Sequence, residues 1–519
     1  MNKKRKFPIF LIPLSLMLIV FLQAFISGEH DQTGEDLYRS YCASCHGVNG
    51  DGAGDLAYLV YPKPRDFTGG KFKIKSTLPG LPPTDDDLFK SISSGMPGTA
   101  MPSFNFLEED EINTLVEIVK EHSGIENDNV HPMNIPEEIP FSDELIQLGK
   151  VVYDEAGCNM CHGDNGKGDG PSSDRLMDTY GFPIVPKDFT SGVYLGGGAI
   201  QDLYLRFVGG MDGTPMPSYG NLAELLGRSK TEESKLAWAL VHYVKSLEVP
   251  QEDKTNAKPN NGIIDAKKFE RLEKFDDLTD GFSDIWKKSS TYSIPLSRLW
   301  QSENANYQMM GVQAIYNDEY VAVKLEWKDP TIDQGISRIQ DFQDGAAIQF
   351  SLDGSKGFHG MGSKDHPTDI WFWKAEWQKR IDTNMESDIT LAYANRVSDS
   401  DIKQFPSVMN DVAYLAGRDA GNLNAYTTQL SSIENARATG PETITPFHKD
   451  DQEVFGKGIW DGGKWRVVFV RKRIPSLIEK VNFNKNKSIP IGFAVWNGSE
   501  QDRNGQKMVS TWYDLELKD

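Results

Sequence analysis

Cys158-Asn159-Met160-Cys161-His162 and Cys42-Ala43-Ser44-Cys45-His46 repeat one pattern: two thiols three residues apart, followed at once by an imidazole. Together these motifs use all 4 cysteines of the 519-residue chain. Thiols at that spacing can add to the two vinyl groups of one porphyrin, and the adjoining histidine is then held under the iron. A disulfide or a zinc knuckle would draw on the same residue types. Zinc, however, needs further ligands at metal-site spacing, and no cysteine is left to supply them. The sequence therefore predicts two covalent c-type haems, on Cys42 and Cys45 and on Cys158 and Cys161, with His46 and His162 as iron ligands.

The elements around the two motifs are duplicated as well. Residues 34–124 and 142–248 read as two copies of one unit. Each begins with a short amphipathic helix, marked by Leu37 and Tyr41 or by Leu145, Leu148 and Val152. Glycine-rich loops follow at 46–52 and 162–168, then Pro64-Arg65-Asp66-Phe67-Thr68 and Pro186-Lys187-Asp188-Phe189-Thr190. Each copy closes on a helix of 3.6-residue apolar period, with stripes Ile112, Leu115, Val116, Val119 and Leu236, Leu240, Tyr243, Val244, Leu247.

The order helix, haem motif, loops, Met-Pro and helix resembles class I cytochrome c over both copies. The resemblance implies a methionine as sixth iron ligand on a loop before the last helix. That role falls on Met101 and Met216, each followed by Pro and 55 and 54 residues after its histidine. Met96 and Met211 are the rivals; packing against the haem edge is their alternative, since methionine fills irregular apolar gaps. Asp66 and Asp188 are expected to order the loop near the propionates. His122 and His131 have no assigned role, and His242, on the second closing helix, reads as a packing or surface residue.

A formal charge of −20 argues against nucleic acid, whose phosphates would repel the chain. The composition, 39% hydrophobic and 25% charged, is that of globular domains. At the N-terminus Lys3, Lys4, Arg5 and Lys6 precede a mostly apolar run over 7–26, the pattern of an export signal. Residues 1–28 are thus a signal peptide or a membrane anchor, and a periplasmic or other extracytoplasmic destination follows.

Beyond a polar linker at 249–263 the apolar period changes to two. Val321, Val323, Leu325 and Trp327 alternate with smaller or polar residues, as do Trp465, Val467, Phe469 and Ile491, Phe493, Val495. Turn signals such as Asp353-Gly354, Asp461-Gly462-Gly463 and Asn497-Gly498 separate them. The chain is therefore multidomain: two mainly α units, then an all-β sandwich-like domain over 264–519.

Several short stretches of that domain, in order, resemble the haem-binding subunit of ethylbenzene dehydrogenase. They include Asp344-Gly345-Ala346-Ala347-Ile348-Gln349-Phe350, His359-Gly360-Met361-Gly362, Ile370-Trp371-Phe372-Trp373, 416–422, 456–462 and Phe493-Ala494-Val495-Trp496-Asn497-Gly498. That family also includes γ-type subunits of selenate, chlorate, dimethyl-sulfide and nitrite-oxidising enzymes. The resemblance implies one non-covalent b-type haem between the sheets, held by Met with Lys, or with His in some members. Met361 takes the methionine role and Lys457, in Gly-Lys-Gly, the lysine role, with His359, Lys464 and Lys374 as rivals. A lysine ligates iron only as the neutral amine, so burial must first lower its pKa.

Three haems with filled axial positions make an electron relay, not a reaction centre. The resemblance implies partners that carry out the catalysis: iron–sulfur and molybdopterin subunits of an oxidoreductase, with a soluble or membrane redox carrier beyond. Two other readings remain at this stage. One is a dihaem carrier or peroxidase-like enzyme; the other is a haem-free β domain acting as a binding module.

Overall fold

The computed structural model describes residues 34–97, 99–248, 257–258, 262–270, 274–298, 308–336, 338–356, 360–384, 423, 431–485 and 488–517. The N-terminal apolar run, most of the linker, His359 and the 416–422 motif lie outside the described residues.

In the first unit helix α1 (Gly34–Tyr41) leads into a single helical turn, α2 (Ala43–His46), and α3 (Asp85–Ser94) and α4 (Glu109–Ser123) follow. Thr84 starts α3: its hydroxyl accepts from the Asp87 amide at 3.1 Å while the Asp87 carboxylate accepts from the Thr84 amide at 3.0 Å. The second unit repeats this order with α5 (Asp143–Glu155), α6 (Asn159–His162), α7 (Ile200–Gly209) and α8 (Glu233–Ser246). First and last helices cross in each copy. Where α5 meets α8, a Cβ on Gly149 would stand 2.0 Å from the Ala239 carbonyl oxygen, so only glycine permits the approach. Leu236, Leu240 and Val244 are fully buried there, each worth roughly 1.5–3 kcal/mol of burial.

The β domain is one 14-stranded sheet folded back on itself. Thirteen of its strands are β1 (Ile263–Lys268), β2 (Thr291–Arg298), β3 (Gln308–Tyr316), β4 (Tyr320–Lys328), β5 (Gly345–Ser351), β6 (Thr368–Lys374), β7 (Ile433–Ala438), β8 (Thr445–Pro446), β9 (Phe455–Asp461), β10 (Lys464–Lys472), β11 (Ser488–Trp496), β12 (Met508–Val509) and β13 (Tyr513–Leu517); the fourteenth, Ala257–Lys258, pairs in parallel with β2. The main path runs β9-β10-β4-β3-β1-β13-β11-β5-β6-β7-β8, with β2 and β12 closing it at the side. The two halves face each other across one core, as Trp373 of β6 packs 4.8 Å from Trp465 of β10. The period-2 residues read from the sequence point into that core: Val323, Leu325, Val467, Phe469, Ile491 and Phe493 all belong to it. Gly462 and Gly463, both at positive φ, turn β9 into β10.

Within this domain Asp369 and Arg471 form a 3.0 Å ion pair with both side chains fully buried. Asn435 Nδ2 and the Val481 amide also donate to the carboxylate, and the guanidinium lies over Trp371. Removing one partner strands the other charge, so Arg471→Met is expected to cost about 3–5 kcal/mol. The check is a lowered denaturant midpoint for the β-domain transition.

Candidate functional site

The same local geometry is built twice among the helical units. In α2 the Cys45 and His46 amides both donate to the Cys42 carbonyl, at 3.1 and 2.9 Å; in α6 Cys161 and His162 do so to Cys158, at 3.3 and 2.9 Å. That turn puts both thiols and the imidazole within one helical revolution. All four thiols are free of disulfides.

Each histidine is then held by its far nitrogen. His46 Nδ1 lies 2.9 Å from the Arg65 carbonyl, and His162 Nδ1 lies 3.0 Å from the Lys187 carbonyl. A carbonyl can only accept, so Nδ1 carries the proton and Nε2 keeps its lone pair for a metal. The rings stack on Phe67 at 4.6 Å and on Phe189 at 4.4 Å. Burial is the main reason both imidazoles sit below the usual histidine pKa, which favours the neutral, ligating form. Asp66 and Asp188 order the same loops, each accepting from a threonine amide and hydroxyl two residues on.

The methionine loops also agree atom for atom. The Met96 amide donates to the Met101 carbonyl at 3.1 Å, and Met211 to Met216 at 3.2 Å. Thr99 and Thr214 hydroxyls donate back to Met96 and Met211 at 2.8 Å. In the first unit these elements enclose a cavity of about 210 Å³ lined by Cys42, Cys45, His46, Met96 and Met101. Arg65 also lines it, with a buried Nη1 that has no hydrogen-bond partner. A cavity with two thiols, a bare imidazole nitrogen, thioethers and an unpaired guanidinium fits a haem bearing propionates. Both methionines of the first unit reach this cavity. In the second unit Met216 packs against the cluster that also receives Cys158, and Met211 is not part of that packing.

The remaining histidines have other surroundings. His242 Nε2 is 2.9 Å from the Ile139 carbonyl in the interior, His131 is exposed, and His122 lies against Tyr38 with Nε2 buried and unpaired.

In the β domain Met361 has φ +77°, a left-handed conformation uncommon for so bulky a residue and often found where a side chain is held for a purpose. It packs with Ala347, Ile370, Ala438, Ala494, Val509, Phe372 and Trp496. These side chains lie on the outer face of β5, β6, β7, β11 and β12, opposite the central core. Among the described residues the interior between the two halves of the sheet is filled by Trp371, Trp373, Trp465, Phe350 and Phe483, each at most 1% exposed.

Lys457, the expected lysine, is exposed on β9. Its flanking glycine serves packing, since a Cβ on Gly458 would fall 2.3 Å from Trp373. Lys374 is ion-paired to Glu434 at 2.9 Å and Lys464 lies 3.5 Å from Glu326. Lys507 went unnoticed in the sequence. It directly precedes β12, and its Nζ is 4.9 Å from the ring of Trp496 on the outer face. Burial alone pushes its amine down to about 8. The signal that could have found it is the strand alternation carried on past β11.

The comparisons with known proteins follow the same division. Residues 29–117 match the family model described as cytochrome c oxidase, cbb3-type, subunit III, and 146–248 the model described as cytochrome c. Residues 283–508 match the ethylbenzene dehydrogenase family. A Haloferax mediterranei protein described as a respiratory nitrate reductase heme subunit is 25% identical over 44% of this chain and 65% of its own length. The chlorate reductase γ subunit of Ideonella dechloratans is 24% identical over 44% of this chain and 76% of its own. The dimethylsulfide dehydrogenase γ subunit of Rhodovulum sulfidophilum is 26% identical over 39% and 58%. The chain thus spans between about three fifths and three quarters of these relatives.

Proposed function

Because this chain consists of two cytochrome c domains followed by an ethylbenzene dehydrogenase domain, we propose that it is the electron-relaying γ-type subunit of an oxidoreductase. Catalysis would belong to partner subunits, a molybdopterin protein and an iron–sulfur protein, with a soluble or membrane carrier at the other end. The single observation that carries this reading is the first cavity, where a histidine and methionines enter together with both thiols.

When bound, haem supplies reversible one-electron chemistry at each site. The residues of the chain do the rest. Cys42, Cys45, Cys158 and Cys161 tether the group, and His46 and His162 present Nε2 because their Nδ1 protons are committed to carbonyls. Met101 and Met216 would hold the iron through their thioethers. Arg65 offers its unpaired Nη1 to a carboxylate. A domain of the cytochrome c type acquires its covalent haem outside the cytoplasm, which agrees with the basic and apolar N-terminal stretch. Among the described residues no helix is long and apolar enough to cross a membrane.

For the β domain we assign one non-covalent haem to the outer face that carries Met361, with Lys507 rather than Lys457 as the second ligand. Burial brings the Lys507 amine toward the neutral form that an iron ligand requires, and Lys457 lies exposed on β9. Lys507→Ala is expected to change the low-spin spectrum of that haem or lower its content, and Lys457→Ala to leave both unchanged; the reverse outcome returns the role to Lys457. The relay as a whole is tested by adding carbon monoxide to the reduced chain. An unchanged spectrum is expected of filled axial positions, and a carbonyl complex on either c site would point to peroxidase-like chemistry instead.

A further inference from the structure

The first cytochrome unit stands first in the sequence, yet its cavity is touched by both other domains. Leu195 of the second unit lines it, and so do Lys356 and Trp512 of the β domain. Lys356 is fixed there from two sides. Its Nζ is 2.6 Å from Asp514 and 4.9 Å from the ring of Phe106 in the first unit. Trp512 is 8% exposed, so its indole closes the cavity edge against water.

These two residues are tied to the β-domain site by short stretches of chain. Lys356 precedes Met361 by five residues, and Trp512 follows Lys507 by five. Five residues span at most about 17 Å even when fully extended. Both residues assigned to the β site are therefore tethered close to a residue that walls the first cavity. The first unit is also clamped to the second. Lys90 pairs with Asp202 at 2.5 Å, Lys75 with Asp212 at 2.9 Å, and Arg206 donates to the Lys75 carbonyl at 2.6 Å.

We propose that the first cytochrome unit is the middle station of the relay, with Trp512 and Lys356 forming its junction to the β domain. This order rests on the functional reading above, including the β-domain haem. Electrons cross the junction singly: one site is oxidised as its neighbour is reduced, with no bond made or broken and no proton required. The outer reductant and oxidant are the iron–sulfur centre and the one-electron carrier already named. Trp512 excludes water from the shared edge. Lys356 balances the Asp514 carboxylate beside the first site, and its loss would leave that negative charge uncompensated, which disfavours the reduced form.

The test uses the full-length holoprotein with haem content measured first, followed by flash reduction read at the b and c absorption bands. Trp512→Ala is expected to slow b-to-c equilibration at unchanged haem content. Lys356→Ala should lower the potential of one c haem and leave the other where it was. Cys42→Ser with Cys45→Ser should abolish b-to-c transfer. Should that variant fail to fold, Trp512→Ala and Lys356→Ala still decide. An unchanged rate in Trp512→Ala, or an unchanged potential in Lys356→Ala, overturns the order while leaving the functional reading in place. A chain with c-type haem alone overturns both.

Discussion

Cys42→Ser with Cys45→Ser is expected to reduce the covalent haem stain of the denatured chain to about half, and the further changes Cys158→Ser and Cys161→Ser to abolish it. The expectation follows from chemistry that only these residues can supply. Thioether bonds survive denaturation, whereas a haem held by axial ligands alone is released. The chain has no other cysteine, and both motifs sit on the same one-turn helix with the same carbonyl-locked histidine. Any haem in the β domain adds nothing to this stain. A signal that survives the fourfold replacement would remove the covalent assignment.

The second large effect concerns the methionines. Met101→Ala and Met216→Ala are each expected to remove about half of the Met–iron charge-transfer absorption of the oxidised chain and to lower the potential of one haem, since thioether ligation favours the reduced state. The two loops share every backbone and threonine hydrogen bond, so the two variants should behave alike. In the second unit Met216 and Cys158 both pack against the same apolar cluster, of which Met211 is not part. In the first unit both Met96 and Met101 line the cavity, and the variants must separate them. If Met96→Ala and Met211→Ala cause the loss instead, the ligand role moves five residues upstream.

The cytochrome units were readable in the sequence because covalent attachment dictates residue type and spacing, and the repeat supplied an internal check on each loop. The strand alternation of the β domain was equally readable, since Val323, Leu325, Val467 and Phe469 must turn one face to the core. The face that carries Met361 was not. A sheet with both faces buried gives apolar residues at consecutive positions, as at Ala346, Ala347 and Ile348, and nothing local tells the inner face from the outer. Gly456-Lys457-Gly458 carries a packing role that the sequence alone did not show: Gly458 makes room for the Trp373 indole. Lys507 stood unmarked between Gln506 and Met508, because burial of a lysine is set by what folds over it. The contacts of Lys356 and Trp512 with the first cavity join residues more than 200 positions apart, a distance over which no pattern in one sequence speaks.

The central claim is that this chain carries two covalent c haems and one b haem. A pyridine haemochrome spectrum of the purified full-length protein tests it most directly, because the reduced b and c complexes absorb at different wavelengths and can be counted against protein. The expected result is two c-type haems and one b-type haem per chain, with only the b-type extracted by acidified acetone. Two c-type haems and no b-type haem in protein supplied with haem would contradict it, and the β domain would then be a docking module instead of a station in the relay.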